Sequence, residues 1–217
     1  MSDARLTRLV ELATRTAPEE RRRLAVELCD LLLDWPQSYP AAMREPFETL
    51  LEKTLRLIDG ETRMRLVARL AEAPDAPLAF LNEFFFDAGP ELRAAILERN
   101  AQCTATPQRS AVDEPALIAA ARAGGDFTAS FARALALAPQ TAERILRDPT
   151  GEPLAIALRG AGLSRAAYST VALIADGVHS AEENAARLAA YELVPPRAAQ
   201  ALMQFWRDET EARRLTA

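Results

Sequence analysis

The sequence is poor in the residues from which metal sites and most enzyme active sites are built. It contains one histidine (His179), one lysine (Lys53) and two cysteines (Cys29 and Cys103) among 217 residues. Zinc sites take three or four convergent protein ligands, and a disulfide framework needs a regular set of cysteines in a short secreted chain. The composition therefore predicts a non-enzymatic protein with no metal and no cofactor, placed in the reducing cytoplasm.

Glycine is also scarce, at 8 residues, whereas alanine supplies 45. Alanine has the highest helix propensity of all residues. β-branched residues are sparse, and no segment alternates between apolar and polar residues with a period of two. We therefore predict an all-α protein of about thirteen helices with short connections.

Long apolar runs are missing as well. The longest uncharged run covers residues 166–175, whereas a membrane-spanning helix needs about 20 apolar residues. The first residues include an acid and no apolar core of a signal peptide follows them, so we predict neither a signal peptide nor a membrane partner. A net charge of −5 indicates that the chain as a whole does not bind polyanions.

Two helix starts carry the pattern of a capping box, in which a hydroxyl residue is followed three positions later by Glu. They are Thr16 with Glu19, and Ser180 with Glu183. Residues 35–40 are predicted to form a loop, and residues 100–110 form the longest polar, irregular stretch. We expect a single helical-repeat domain over residues 1–217, with a hinge at 100–110.

An aspartate followed six residues later by an arginine occurs at two turns, as Asp59 with Arg65 and as Asp87 with Arg93. An aspartate at a helix start accepts hydrogen bonds from the free N–H groups of the first turn. Its carboxylate can also bind an arginine of a neighbouring helix pair. We predict that these four residues form a structural ladder in which Asp59 and Asp87 cap the helices that follow them.

These Asp-x5-Arg turns resemble the turns within HEAT-type helical repeats. Residues 57–100, LIDGETRMRLVARLAEAPDAPLAFLNEFFFDAGPELRAAILERN, are similar to a bacterial family of uncharacterised HEAT-like proteins. The later stretches DEPALIAAARAG and LALAPQTAERIL resemble further repeats of that family. The resemblance implies an α-solenoid of about six antiparallel helix pairs plus a C-terminal capping helix, and it implies no catalytic residue.

Four arginines are candidate binding residues because they fall on the second helices of two adjacent predicted pairs, which line the concave side of such a stack. They are Arg63, Arg65, Arg69 and Arg93. If they are unpaired, they form a basic groove for nucleic acid or for a phosphorylated ligand. This is the alternative to our main functional prediction.

The main prediction is a scaffold or adaptor that binds a partner protein, of unknown identity, through the solenoid surface. Phe205 and Trp206 on the last helix are candidate contact residues, and the alternative for Trp206 is that it simply closes the core. A terminal helix of a stack has a neighbour on one side only, which leaves a second apolar face for a partner. Tryptophan is also enriched at binding hot spots. Homo-oligomerisation stays open.

Overall fold

The computed structural model describes residues 2–102, 112–174 and 180–215, and the side chains within 5–102, 112–174 and 180–212. Those ranges contain thirteen α-helices and no strand, so the all-α prediction is confirmed. The helices are α1 (Ser2–Ala13), α2 (Pro18–Leu33), α3 (Arg44–Leu55), α4 (Gly60–Ala71), α5 (Leu78–Glu83), α6 (Pro90–Ala101), α7 (Glu114–Ala123), α8 (Phe127–Leu135), α9 (Pro139–Arg147), α10 (Glu152–Gly160), α11 (Arg165–Ile174), α12 (Ala181–Leu193) and α13 (Pro196–Leu215).

Contacts among these helices divide the chain into two compact units, Met1–Ala95 and Ile96–Ala217. The division falls near the predicted hinge at 100–110, most of which lies outside the described residues. A single domain over the whole chain therefore stays a prediction.

The capping box at Ser180 is confirmed and the one at Thr16 is wrong. The Ser180 hydroxyl accepts a hydrogen bond from the Glu183 N–H at 3.2 Å, and the Glu183 carboxylate accepts one from the Ser180 N–H at 2.8 Å. In contrast, α2 is preceded by Ala17, and no side chain caps it. Pro18 at the first helical position explains the difference, because it fixes a helical φ and has no N–H to be capped.

In the first unit, α2 packs against α1, α3 and α4. Its apolar residues recur at helical spacing, which buries one continuous face of the helix. The buried residues are Leu24, Ala25, Leu28, Cys29, Leu31 and Leu32. This face is the centre of the core of the first unit.

Ion pairs show the directions of the helices next to α2. Arg8 binds Glu27 at 2.8 Å and Arg15 binds Glu20 at 2.7 Å, so α1 runs antiparallel to α2. The Cys29 Sγ lies 4.0 Å from the Leu66 carbonyl oxygen. Together with the ion pairs Arg22–Asp59 and Asp30–Arg69, this contact shows that α4 runs parallel to α2.

The second unit is organised around α10, which contacts α9, α11, α12 and α13. Every residue of α10 from Pro153 to Leu158 is buried. The closest approach is at Gly160, where an added Cβ would lie 2.4 Å from the Ala199 carbonyl oxygen. Glycine is therefore required at this crossing of α10 and α13 because no side chain fits between the two backbones.

Gly160→Ala should destabilise the second unit, because the methyl group overpacks the crossing at a cost of up to about 3 kcal/mol. Alanine gains roughly 1 kcal/mol over glycine in a helix, so the expected net loss is up to about 2 kcal/mol. Chemical denaturation followed by circular dichroism measures the change. The matched control is Gly60→Ala, where the added Cβ would meet only the Arg63 Nη2 at 3.8 Å. A Gly160→Ala protein as stable as the wild type would contradict this packing.

Candidate interaction surface

Asp59, the first aspartate of the predicted ladder, is confirmed as a helix cap, but it pairs with Arg22 and not with Arg65. The Asp59 carboxylate accepts a hydrogen bond from the Thr62 N–H at 2.9 Å and from the Arg22 Nε at 2.7 Å. The Thr62 N–H, followed by the Arg22 guanidinium, lowers the pKa of Asp59 to about 2. Arg65 is exposed, and none of the described residues forms an ion pair with it. The parallel packing of α2 and α4 explains the difference, since it brings Arg22 to the start of α4.

A second pair crosses from α2 to α4 further along both helices. The Arg69 Nη2 donates to the Asp30 carboxylate at 2.8 Å, and this hydrogen bond raises the pKa of Arg69. Both side chains are more than two-fifths exposed. Arg69 is thus neutralised within the chain and is not an unpaired groove residue.

Arg93 is buried and belongs to the packing of the first unit. Its guanidinium donates to the Ala88 carbonyl oxygen at 3.0 Å and to the Phe86 carbonyl oxygen at 3.1 Å, and it lies 5.2 Å from the centre of the Phe85 ring. Only 8% of the residue is exposed, so the prediction that Arg93 lines an open groove is wrong. Asp87 ends the short 3-10 helix Phe85–Asp87, and its role as a cap stays a prediction.

The two remaining arginines of the predicted groove are Arg63 and Arg65. Arg63 is half-buried, and its enclosed Nε has no hydrogen-bond partner among the described residues. In the sequence, these two residues lie between Asp59 and Arg69, which form ion pairs with Arg22 and Asp30 of α2. The surface shared by α2 and α4 therefore carries charges of both signs.

Trp206 is a core residue, in agreement with the alternative prediction for this residue, and it is not an accessible contact residue. Only 2% of its surface is exposed, while Phe205 beside it is half-buried. The last helix has neighbours on two sides, which the sequence did not predict. Along one side α13 packs against α10. Elsewhere, the Thr210 Oγ1 accepts a hydrogen bond from the Ala138 N–H at 2.8 Å, which ties α13 to the start of α9.

An aromatic cluster in the first unit was missed by the sequence analysis. The Trp35 ring makes edge contacts with the Tyr39 ring at 5.6 Å and with the Phe47 ring at 5.9 Å between centroids. All three residues are half-buried, so part of each ring faces solvent. Two of them lie in the predicted loop at 35–40, and the recurrence of aromatic residues there was the available signal. We call Trp35, Tyr39 and Phe47 the aromatic cluster.

A small crevice between α2, α3 and α4 has no room for a ligand. Its lining is mostly apolar, with one ion pair at 2.9 Å between the Arg44 Nε and the Glu48 carboxylate. Arg44 also donates to the Asp75 carbonyl oxygen at 3.1 Å. The crevice has room for about one water molecule. Binding at this end of the unit must therefore use the outer surface.

The titratable groups singled out in the sequence form no reactive site where they are described. Cys29 is buried, and burial raises the pKa of its thiol to about 11, which keeps it protonated and unreactive. Cys103 and His179 lie outside the described residues. Within the described part of the chain, no group of three or more His, Cys, Asp or Glu residues could hold a metal ion.

Residues 48–204 match a family described as uncharacterised proteins conserved in bacteria (DUF2336). The match covers well over half of the chain. The chain belongs to this family. No curated protein and no solved structure matches the sequence. All three residues of the aromatic cluster lie upstream of the matched region, and Phe47 directly precedes its first residue. No helix of this family member, over the residues described, is long and apolar enough to span a membrane.

Asp59→Ala should lower the thermal midpoint of the first unit more than Asp59→Ser does. Alanine removes both the cap and the ion pair, whereas the serine hydroxyl can still accept from the Thr62 N–H. Because the folded pKa of Asp59 is about 2, its stabilising contribution is complete above the ordinary pKa of 3.8 and is lost as the pH falls towards 2. The difference in thermal midpoint between the wild type and Asp59→Ala should therefore become smaller as the pH falls from 5 to 2. An equal difference at pH 5 and at pH 2 would contradict the assigned role of the carboxylate.

Trp206→Ala should destabilise the second unit by about 3–5 kcal/mol, because it opens a cavity in the core. Denaturation curves measure the loss, and light scattering should show an unchanged oligomeric state. Phe205→Ala on the same turn is the control and should cost clearly less, since that ring is half-buried. A change of oligomeric state without a loss of stability would instead restore Trp206 as an interface residue.

Proposed function

We propose that this family member is a non-enzymatic scaffold or adaptor that binds a partner protein through its helical surface. The observation that carries the proposal is the aromatic cluster, which exposes parts of three rings in one place on the first unit. Tryptophan and tyrosine are enriched at binding hot spots because they supply a large, rigid contact area. An edge-to-face arrangement of such rings also holds the surface in one shape before a partner binds.

The charge distribution around α2 and α4 supports a protein partner more than a nucleic acid. A nucleic-acid surface needs several cations left free to contact phosphates. Of the four candidate arginines, Arg69 is paired with Asp30 and Arg93 is buried. Binding of nucleic acid or of a phosphorylated ligand would depend on Arg63 and Arg65 alone and is our second candidate function.

We further propose that the first unit is a short stack of HEAT-like helix pairs. Three contacts join α2 to α4 over nearly constant sequence separations, Arg22 to Asp59, Cys29 to Leu66 and Asp30 to Arg69. The second helices of successive pairs run parallel in such a stack, as α2 and α4 do here. The support is confined to the first unit, because α10 of the second unit is enclosed by four helices.

We also propose that the protein acts in the cytoplasm without a cofactor. The cysteine content fits a reducing compartment. The crevice of the first unit, with room for about one water molecule, offers no place for a cofactor. A role in protein binding uses an exposed surface and requires no cofactor.

In proximity labelling in the native host, the Trp35→Ala variant should no longer capture partner proteins that the wild type captures. Removing a hot-spot tryptophan typically costs at least 2 kcal/mol, which corresponds to about thirtyfold in affinity. The matched control is Phe127→Ala, which removes a half-buried ring of the second unit. Thermal melts show whether both variants fold, and Trp35→Phe should retain an intermediate yield. If Trp35→Ala folds and captures the same proteins in the same amounts, the aromatic cluster is not the binding surface.

A further inference from the structure

We infer that the aromatic cluster binds a positively charged polypeptide segment, with an arginine or lysine side chain lying against Trp35 and next to Asp34. This inference rests on the proposed function and specifies the chemistry of the partner. It is carried by two independent features of consecutive residues, an acid at an unfavourable position, Asp34, and the ring of Trp35, over which no cation of the described residues lies.

Asp34 stands where a helix disfavours negative charge. It is the residue that ends α2, and its backbone N–H donates to the Asp30 carbonyl oxygen at 3.2 Å. The carbonyl end of a helix carries a partial negative charge, so cations are favoured there and carboxylates are not. The last turn of α2 contains no basic residue. The exposed carboxylate of Asp34 has no ion-pair partner among the described residues. Folding alone gives no reason for an acid here, whereas a cationic ligand would be attracted both by Asp34 and by the helix end.

The rings next to Asp34 offer the second half of a cation site. Trp35 follows Asp34 directly, and tryptophan has the strongest attraction for a cation over its ring face. The protein uses the same interaction internally, with the Arg159 guanidinium 4.9 Å from the centre of the Tyr191 ring. An arginine or lysine of the partner would combine this interaction with the negative potential of Asp34.

Arg44, the first residue of α3, is already engaged. Its guanidinium binds the Glu48 carboxylate at 2.9 Å and the Asp75 carbonyl oxygen at 3.1 Å. Among the described residues, neither Arg44 nor another cation lies over the Trp35 ring. A cation for Trp35 must therefore come from another molecule.

The negative charge of Asp34 also favours a cationic polypeptide segment over a nucleic acid. A phosphate next to Asp34 would be repelled by the carboxylate and by the end of α2. A second copy of this chain remains a separate occupant, which would make the Trp35 environment depend on protein concentration. The experiment below tells these occupants apart.

The test uses the full chain and the indole N–H signals in a two-dimensional NMR spectrum. The sequence has two tryptophans, so two signals are expected, and Trp35→Phe assigns the one from Trp35. The probe is a capped peptide of four Gly-Arg-Leu repeats. Its control is the same peptide with citrulline in place of arginine, which keeps the shape and removes the charge. We expect the arginine peptide to shift the Trp35 signal and to bind at least about fivefold more tightly than the citrulline peptide.

Asp34→Asn should remove most of this preference for arginine, since it neutralises the carboxylate without changing its size. The matched control is Glu211→Gln, which makes the same change in net charge at an exposed acid of the second unit. Equal binding of the two peptides, or equal effects of Asp34→Asn and Glu211→Gln, would overturn the inference. A Trp35 signal that moves with protein concentration alone would also overturn it, in favour of a second copy. In those cases partner capture that still depends on Trp35 would leave the proposed function intact.

Discussion

Burial of the apolar face of α2 is the constraint on which the candidate surface depends. Each leucine of that face, buried against α1, α3 and α4, stabilises the fold by about 1.5–3 kcal/mol. This packing fixes the direction and rotation of α2. The end of the helix then places Asp34 and Trp35 next to the start of α3, where Phe47 completes the aromatic cluster. The surface is therefore held by a rigid element, although two of its rings lie in a loop.

The arginine content of this protein serves internal pairing to a large extent. Arg22 and Arg69 bind acids across the α2–α4 contact, and Arg93 closes a turn from within the core. Exposed ion pairs contribute little to stability, typically below about 1 kcal/mol each. Their main effect here is on register, because an arginine on one helix and an aspartate on the next specify which residues face each other. A high arginine count is thus a poor indicator of nucleic-acid binding in this chain.

The two units reach the same helical content through different packing. In the first unit α2 packs against α1, α3 and α4, whereas in the second unit α10 is buried among α9, α11, α12 and α13. Close approach at Gly160 and Ala199 lets α13 lie along α10. This arrangement also explains why Trp206 is inaccessible, since a helix packed on two sides has no spare apolar face. A terminal position in the sequence does not imply a terminal position in the packing.

Local rules determined a substantial part of this protein from its sequence alone. Alanine content and the lack of alternation with a period of two predicted the helices, and short-range hydrogen bonding predicted the caps at Asp59 and Ser180. These features depend on residues within one or two turns of each other, so their energies are decided before the helices pack.

Only the tertiary structure decided which distant residues meet. It assigned Arg22 to Asp59, buried Trp206 and Arg93, and brought Phe47 to Trp35. None of these contacts has a local pattern, because each depends on how one helix is rotated and shifted against another. That choice is set by the combined burial of many apolar side chains, and a periodic sequence leaves several helix arrangements close in energy until all of them pack together.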